Sequence, residues 1–313
     1  MKVLVTGADG FVGRYVLSEL RAAGHDVVAC HRSGATVPAW SRDRGIEWRP
    51  LELGDTASVA GATAGQMDGV LHLAALSSGS AARRDPGLAW EVNAAGTARV
   101  MDALARGRTH GSAPPVVVVV SSGEVYGSAE REPIDETRPA RPVSPYAASK
   151  VGTEEAARET ARRTDLRVII ARPFAHTGPG QVTDFVAPAF ARRLRAAHAA
   201  GESTVSTGNL DPVRDFLDVR DVARAYVRLL TSGVPGETYN IASGVGVSLR
   251  ELFDRLAALV GAQVKPVPDP ALVRTTDIPY LVGNAAKLAA ATGWSPHIPL
   301  DQTLRDLTHA ETD

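Results

Sequence analysis

Short apolar runs alternate with longer amphipathic stretches along the first half of the chain, and this alternation predicts the fold. Several short runs are apolar on both faces, such as the five valines at 116–120, which is typical of strands buried between two layers of helices. The longer stretches are rich in Ala, Leu and Arg, which favour helices. Strands are expected near 2–6, 27–30, 46–49, 69–73, 116–120 and 167–171, with a later one near 238–241. Helices are expected over 11–23, 88–106 and 146–163.

This order of elements indicates an α/β protein with a doubly wound parallel sheet and right-handed crossovers. The regular alternation ends after Arg172. Further helices are expected over 183–200, 219–232 and 248–260, with an irregular segment at 201–213. Scattered prolines and two short helical patterns in the last forty residues predict a smaller, mixed C-terminal lobe.

Charge and cysteine content narrow the function classes. The 313 residues carry 34 basic and 35 acidic side chains, a formal net charge of −1, which disfavours nucleic acid or an anionic membrane as the main partner. No apolar run approaches the roughly 20 residues that span a bilayer. Cys30 is the only cysteine, which excludes an internal disulfide and a cysteine-based metal site, and no His, Asp or Glu cluster has metal-ligand spacing. We expect a cytoplasmic protein without a signal peptide or a metal.

A glycine-rich turn follows the first strand and opens the first helix. Residues 7–13 read GADGFVG, a GxxGxxG spacing. Glycines there let the backbone approach a pyrophosphate at the positive end of the helix, so this position favours a Rossmann-type dinucleotide site over an ordinary turn. We therefore expect a Rossmann domain over 1–172, to which 215–243 returns. Residues 173–214 and 244–313 would form a substrate-binding lobe.

The residues after the second strand bear on which dinucleotide binds. A site that selects NAD places Asp or Glu there to hold the ribose 2′-hydroxyl. Here residues 30–33 read CHRS, without an acid. Arg32 can pair with a 2′-phosphate and the Ser33 hydroxyl can donate to it, so the sequence favours NADP(H) and leaves NAD(H) open. The alternative for Arg32 is a loop arginine in solvent.

Tyr146 and Lys150 form a YxxxK spacing at the start of a predicted helix, which places both side chains on one face. A phenol with the ordinary pKa of about 10 is a poor acid–base group at neutral pH. A nearby ammonium and a positively charged nicotinamide would stabilise the phenolate and lower that pKa. By itself the spacing favours a core tyrosine and a surface lysine, because YxxxK occurs often by chance.

A serine-rich segment strengthens the YxxxK signal. Residues 121–127 (SSGEVYG) lie at the carboxyl end of the five-valine strand, where open α/β sheets bind ligands. A hydroxyl there can hydrogen-bond a reacting oxygen. The glycine loop, the serine-rich strand end and YxxxK occur in this order, and together they indicate an oxidoreductase site.

With these motifs the chain resembles the extended short-chain dehydrogenases/reductases, in their nucleotide-sugar branch of epimerases, dehydratases and reductases, over essentially its whole length. Further matches lie at 73–75 (LAA), 92–97 (VNAAGT) and 214–223 (RDFLDVRDVA). Residues 172–181 (RPFAHTGPGQ) and 208–211 (GNLD) are similar to stretches typical of GDP-4-keto-6-deoxy-mannose reductases.

The resemblance implies a catalytic triad of Ser122, Tyr146 and Lys150, of which Tyr146 and Lys150 also contact the cofactor. Ser122 is chosen over Ser121 because it lies three residues before Val125. The other cofactor contacts that the resemblance and the second-strand motif imply are Gly7, Gly10, Phe11, Val12, Gly13, Arg32, Ser33, Glu52, Leu53, Ala74 and Ala75. The substrate contacts that it implies are Ser122, Glu124, His176, Arg214 and Arg274, with both arginines on the substrate diphosphate.

Some of these residues have structural alternatives, and two positions depart from the family pattern. His176 is also compatible with a packed loop histidine, and Arg214 with an ion pair to Asp211 or Asp215. Gly123 replaces the Asp of the Asp–Glu pair that dehydratases use, so dehydration loses one acid–base group. Ala175 stands where the family normally has an Asn that contacts the substrate, so the sugar or its pose differs.

The resemblance implies a 4-ketoreductase of deoxysugar biosynthesis that acts on a nucleoside-diphosphate 4-keto-6-deoxyhexose, with Tyr146 as proton donor. It also implies a homodimer formed through the Ala-rich helices at 88–106 and 146–163. The nearest alternative is a nucleotide-sugar 4-epimerase with tightly bound NAD. A 4,6-dehydratase is less well supported, and so is a cofactor sensor without turnover, since Tyr146 and Lys150 are both present.

Overall fold

A parallel sheet of seven strands forms the centre of the larger part of the molecule. The computed structural model describes residues 1–41, 45–107, 113–128, 132–272 and 277–310. The strands of this sheet are β1 (Lys2–Thr6), β2 (Asp26–Arg32), β3 (Glu47–Leu51), β4 (Gly69–His72), β5 (Val116–Val120), β6 (Arg167–Pro173) and β10 (Thr238–Ile241). Their spatial order is β10-β6-β5-β4-β1-β2-β3, and every neighbouring pair is parallel.

Helices cover both faces of the sheet. Val3 and Val5 of β1 face a layer containing α1 (Phe11–Ala22), α8 (Val219–Ser232) and α10 (Ala286–Thr292). Leu4, between them, faces the opposite layer, which contains α2 (Thr56–Ala62), α5 (Gly96–Arg106) and α6 (Pro145–Arg163). The strand is therefore apolar on both sides, as expected of a strand buried between two helical layers. The predicted α/β class with a doubly wound parallel sheet is confirmed.

A second, smaller group of elements packs around its own apolar core. Strand β9 (Val213–Asp218) pairs with β7 (Ala175–Thr177), β11 (Gly246–Ser248) and β13 (Tyr280–Leu281). Strands β8 (Thr204–Thr207) and β12 (Lys265–Pro268) form a separate parallel pair. The helices of this part are α7 (Val186–Ala200), α9 (Leu249–Val260) and α11 (Leu300–His309), which share a core that includes Phe190, Phe253 and Leu304.

Two segments differ from the prediction. The helix expected over 88–106 is divided into α4 (Pro86–Trp90), a π-helical turn (Glu91–Ala95) and α5, and it follows the short α3 (Gly79–Arg84). The segment 201–213, expected to be irregular, contains β8. Its four residues alternate exposed and buried with Val205 as the only apolar member, which is too short a pattern to identify a strand. None of the described helices is long and apolar enough to cross a membrane.

Candidate active site

The glycine loop between β1 and α1 has the shape that a pyrophosphate requires. Gly7 has φ +66°, and a Cβ atom there would lie 2.8 Å from Ala74 N at the end of β4. A Cβ atom on Gly13 would lie 2.5 Å from Ala8 O, so helix and loop approach closely only because both residues are glycine. Gly10 caps α1 without a side-chain hydrogen bond, which leaves the first amide groups of the helix available to an anion. The loop therefore fits a dinucleotide.

The next two residues of the loop face different surroundings. Val12 packs against the core beneath the sheet. The ring of Phe11 stacks on the imidazole of His176, with ring centroids 6.4 Å apart and an interplanar angle of 4°. His176 Nδ1 lies 3.0 Å from Phe174 O, so this nitrogen carries the proton and Nε2 remains an acceptor. Burial lowers the pKa of His176, which keeps the ring neutral beside the glycine loop.

A directed chain of hydrogen bonds fixes the end of β4, where Ala74 and Ala75 were predicted to line the cofactor channel. Ala74 N donates to Thr6 Oγ1, which lies 2.8 Å from His72 Nδ1. On the other side of the imidazole, Nε2 lies 3.0 Å from Thr97 Oγ1, whose own proton goes to Asn93 O. Nε2 must therefore carry the ring proton. Burial, reinforced by the charge of Lys150, lowers the pKa of His72 to about 3, consistent with this neutral form.

The residues predicted to contact the adenosine half lie at the carboxyl ends of β2 and β3. Arg32 and Ser33 are exposed at the end of β2. Leu53 is buried against Gly96, where an added Cβ atom would lie 2.9 Å from the Leu53 side chain. Glu52 is exposed, and its Oε1 accepts a hydrogen bond from Gly54 N.

The three predicted catalytic residues meet at the carboxyl end of β5. Ser122 Oγ accepts a hydrogen bond from Glu124 N at 3.1 Å, so its own proton is free to point toward Tyr146 or a ligand. Tyr146 lies in the first turn of α6, and Lys150 follows one turn later. Lys150 Nζ donates to Val120 O at 2.7 Å. Lys150 is thus bound to the last residue of β5, and Ser122 follows two residues later.

Burial shifts the pKa values of both titratable members. It raises the pKa of Tyr146, as does the negative charge of Glu124, while the hydrogen bond from Ser122 opposes the rise. Burial lowers the pKa of Lys150 to about 8, against the opposing influence of Glu154. In this arrangement Tyr146 is a phenol at neutral pH, and Lys150 is a cation close to its titration range.

Asn93 supports this site, although the sequence presented it only as part of a matching segment. It lies in the π-helical turn, is buried, and its side chain binds both Leu76 N and Leu76 O. Its Nδ2 also donates to Ser149 Oγ at 2.8 Å, and Ser149 Oγ donates in turn to Tyr146 O. Asn93 therefore connects the end of β4 to the first turn of α6. A π-helical turn at such a position is common at functional sites.

Glu154 and Arg172 form a buried ion pair next to the predicted catalytic residues. This pair was not identified from the sequence. Glu154, one turn after Lys150, accepts from Arg172 Nε at 2.8 Å and from Arg172 Nη2 at 2.7 Å. Ser121 Oγ donates to Glu154 Oε1 at 2.6 Å. Ser121 is thus directed to Glu154, whereas Ser122 Oγ accepts from Glu124 N. Arg172 also lies over the ring of Tyr126, 4.7 Å from its centroid.

The ring of Phe174 packs closely against Gly123, where this chain departs from the dehydratase pattern. A Cβ atom on Gly123 would lie 3.1 Å from the ring of Phe174, so an aspartate there would need that ring to shift by a few tenths of an ångström. Glu124, the acid of the Asp–Glu pair that this chain retains, is half-buried. Ala175, half-buried in β7, presents no polar side chain.

Arg214 lies in β9 and contacts the residues that precede β13. Its Nη2 forms an ion pair with Asp277 at 3.0 Å, and Nη1 donates to Ile278 O at 2.6 Å. Asp215, one of the two expected alternative partners, accepts hydrogen bonds from the backbone of Ser243 and Gly244. Arg274, the other predicted diphosphate ligand, lies outside the described residues.

The sequence and the fold both match known proteins over nearly the whole chain. Residues 3–242 match the NAD dependent epimerase/dehydratase family. GDP-6-deoxy-D-mannose reductase of Pseudomonas aeruginosa is 36% identical over 308 residues, which cover 97% of this chain and 95% of that protein. The structure of RMD from Pseudomonas aeruginosa complexed with NADPH has a TM-score of 0.82 and 33% identity, covering 98% of this chain and 97% of that one. UDP-glucose 4-epimerase of Thermus thermophilus in complex with NAD has a TM-score of 0.84 and 29% identity, covering 98% of each chain.

Proposed function

We propose that this chain, which belongs to the NAD dependent epimerase/dehydratase family, reduces the 4-keto group of a nucleoside-diphosphate 4-keto-6-deoxyhexose. The observation that carries the proposal is the convergence of Ser122, Tyr146 and Lys150 at the end of β5, beside a dinucleotide loop. The 36% identity to a GDP-6-deoxy-D-mannose reductase supports the class of sugar.

Tyr146 is the proton donor in this proposal. Its raised pKa keeps the phenol protonated at neutral pH, so it can give its proton to the carbonyl oxygen as that oxygen gains negative charge. Ser122, whose Oγ already accepts from Glu124 N, directs its own proton to the same oxygen. Lys150 would bind the nicotinamide ribose, and its positive charge favours the phenolate that remains. When bound, the reduced dinucleotide supplies the hydride.

The surroundings of Ser122 support reduction over dehydration. Removal of water needs a second acid–base group, and Gly123 supplies none. The ring of Phe174 lies 3.1 Å from where a Cβ atom would stand at Gly123, so any side chain there would pack against that ring. Glu124 would then act on the substrate only by contact and charge.

Other residues near the glycine loop and in β9 would contact the substrate or the cofactor in this proposal. The guanidinium of Arg214 would take the substrate diphosphate in a bidentate contact, with Asp277 as its partner in the absence of substrate. His176, with a free Nε2 acceptor beside Phe11, would contact the substrate or the nicotinamide end of the cofactor. Arg32 and Ser33 support NADP(H) as the cofactor, with NAD(H) also usable.

Replacement of Tyr146 tests the proposed function. The purified protein would be incubated with NADPH or NADH and a panel of GDP- and dTDP-linked 4-keto-6-deoxy sugars, and oxidation of the cofactor followed by absorbance. We expect Tyr146→Phe to lower the rate by a factor of about 10² or more while cofactor binding persists. Tyr280→Phe, which removes a phenol from β13, is the matched control and should stay fully active. Residual reduction by Tyr146→Phe close to the wild-type rate would exclude the role.

A 4-epimerase is the second candidate, favoured by the similarity to the NAD-bound UDP-glucose 4-epimerase. An epimerase regenerates its cofactor within each cycle. NAD that stays bound through purification, together with interconversion of two nucleotide sugars without net cofactor consumption, would replace the reductase assignment by this one.

We also propose a homodimer through α5 and α6. Leu88 and Trp90 in the adjoining α4 are 46% and 47% exposed, which is unusual for two large apolar side chains on one short helix. A glutamate at an apolar interface would oppose association. Leu88→Glu should therefore give a monomer by light scattering, whereas Val245→Glu, at a 62% exposed valine outside these helices, should leave the mass unchanged. A wild-type monomer would contradict the proposal.

A further inference from the structure

The glycine loop brings a carboxylate to the end of β2, where the sequence has no acid. Asp9 Oδ2 accepts a hydrogen bond from Arg32 N at 3.0 Å. One residue earlier, Ala8 N donates to Cys30 O at 3.0 Å, so two successive loop residues are bound to the end of this strand. Asp9 therefore brings a carboxylate beside the end of β2, the strand end at which NAD-selecting sites have an Asp or Glu.

The charge of Asp9 acts on this part of the protein. Burial raises the pKa of the Cys30 thiol to about 12; Arg49 lowers it, and the negative charges of Asp9 and Glu47 add to the rise. Only Oδ2 of Asp9 is occupied, since Oδ1 makes no hydrogen bond to any residue that the structure describes. A free carboxylate oxygen at the end of β2 can accept a hydrogen bond from a ribose hydroxyl.

Arg32, whose backbone amide binds Asp9, favours the phosphorylated cofactor instead. Its backbone is held by Asp9, while its guanidinium is exposed and forms no ion pair within the described part of the chain. The guanidinium would attract a 2′-phosphate, and the Asp9 carboxylate would repel that phosphate, which carries about −1.5 to −2 charges at neutral pH. At the same ribose, Arg32 therefore favours NADP(H) and Asp9 favours NAD(H).

We propose that Asp9 is the residue that sets cofactor choice. Its carboxylate accepts a hydrogen bond from the 2′-hydroxyl of the adenosine ribose of NAD(H) and repels the 2′-phosphate of NADP(H). The enzyme therefore uses both cofactors. This inference rests on the proposed function in taking the glycine loop as the cofactor site. It modifies the preference for NADP(H) that residues 30–33 suggest alone, because the strand end is not the only source of charge around the ribose.

Equilibrium binding without a sugar substrate tests the role of Asp9. Dissociation constants for NADPH and NADH would be measured by fluorescence titration for the wild type and for Asp9→Asn. Asparagine keeps an oxygen that can accept from Arg32 N and removes only the charge. We expect the ratio of the two constants to move toward NADPH by about fivefold or more, given the strength of like-charge repulsion near a protein surface. A smaller shift would overturn the proposal.

Two further variants complete the design. Arg32→Gln should move the ratio in the opposite direction, toward NADH. Asp26→Asn removes a carboxylate from the other end of β2, about 20 Å away at the usual rise per strand residue, and should leave the ratio unchanged because salt screens charges over such a distance. If the wild type binds neither nucleotide, the proposed function fails. If both bind and Asp9→Asn leaves the ratio as it was, only the role of Asp9 fails.

Discussion

Lys150 is a buried lysine, and burial disfavours its charged form. It is 4% exposed, and its ammonium has the carbonyl of Val120 and the carboxylate of Glu154 in its surroundings. Burial lowers its pKa to about 8, so the cation predominates at neutral pH but is lost a little above it. The residue thus supplies the positive charge that a phenolate needs up to a pH of about 8 and loses it above that pH.

This pKa predicts the pH dependence of reduction. Tyr146 stays protonated across the same range because its own pKa is raised, so the group that titrates is Lys150. We expect kcat/KM for the keto sugar to fall as the pH rises through about 8, because the neutral amine no longer stabilises the developing phenolate. The measurement is a pH profile of initial rates at a fixed cofactor concentration.

Lys150→Arg provides the control for that profile. Guanidinium stays charged at every accessible pH but does not reproduce the geometry of the ammonium. The variant should be slower than wild type at neutral pH yet lose the descending limb above it. A descending limb that persists unchanged in Lys150→Arg would show that another group titrates there.

At the scale of elements, helix α6 connects the proposed catalytic residues to the central sheet. Tyr146, Lys150 and Glu154 follow one another at four-residue intervals on one face of this helix. Glu154 is 1% exposed and is bound by Arg172 of β6, by Ser121 after β5 and by Arg158 of its own helix. The position of Tyr146 and Lys150, the proposed catalytic pair, relative to β5 therefore depends on this buried ion pair.

Loss of the Glu154 charge should destabilise the protein. Glu154→Gln leaves Arg172 buried without its anion, and breaking such a pair from one side typically costs about 3–5 kcal/mol. Urea-induced unfolding at neutral pH measures the change. Glu159→Gln, on the exposed surface of the same helix, removes a carboxylate that pairs with the exposed Arg163 and should leave the unfolding midpoint nearly unchanged.

The same pair predicts how stability depends on pH. Burial alone would raise the pKa of Glu154, but the hydrogen bonds and charge of Arg172 lower it below its ordinary value. The folded state therefore gains stability from the ionised carboxylate above the ordinary pKa of about 4.3 and loses it as the pH falls through the lowered value. The difference in unfolding free energy between wild type and Glu154→Gln should shrink toward acid pH. A difference independent of pH would contradict this assignment.

At the scale of the whole molecule, Asp215 of β9 joins the smaller sheet to the strand that returns to the large one. Its Oδ1 accepts from Ser243 N and Ser243 Oγ, just after β10, and its Oδ2 accepts from Gly244 N and Gly283 N. Both oxygens are fully occupied by donors. Burial raises the pKa of Asp215, and these hydrogen bonds oppose the rise.

Asp215→Asn should therefore be strongly destabilising despite its similar shape. An amide can accept on one oxygen only, so its NH₂ group would face two backbone donors, and each unsatisfied buried donor costs about 1–3 kcal/mol. Thermal unfolding compared with Asp211→Asn, at an exposed position near the start of the same strand, measures the effect. Equal melting temperatures for the two variants would contradict the role of Asp215 as a connection.

Several parts of this protein could be predicted from the sequence because their signals are local. The strands and helices of the large sheet follow from apolar runs and amphipathic periods, and the glycine loop is recognisable because its constraints arise within seven consecutive residues. Two short motifs, read with the family resemblance, predicted Ser122, Tyr146 and Lys150 as the triad, and the structure brings them together at the end of β5. Strand β8 was missed because its partner β12 lies some sixty residues later and four residues carry too little pattern.

The tertiary structure decided what depends on contacts between distant segments. Glu154 and Arg172 are both charged residues in ordinary surroundings along the chain, and only the packing of α6 on β6 makes them a buried pair. Asp9 lies 23 residues before Arg32, so its presence at the end of β2, the proposed ribose subsite, cannot be read from the residues of that strand. A sequence specifies local conformation through neighbouring residues, whereas the charge and burial around a site are sums over every segment that folding brings to it.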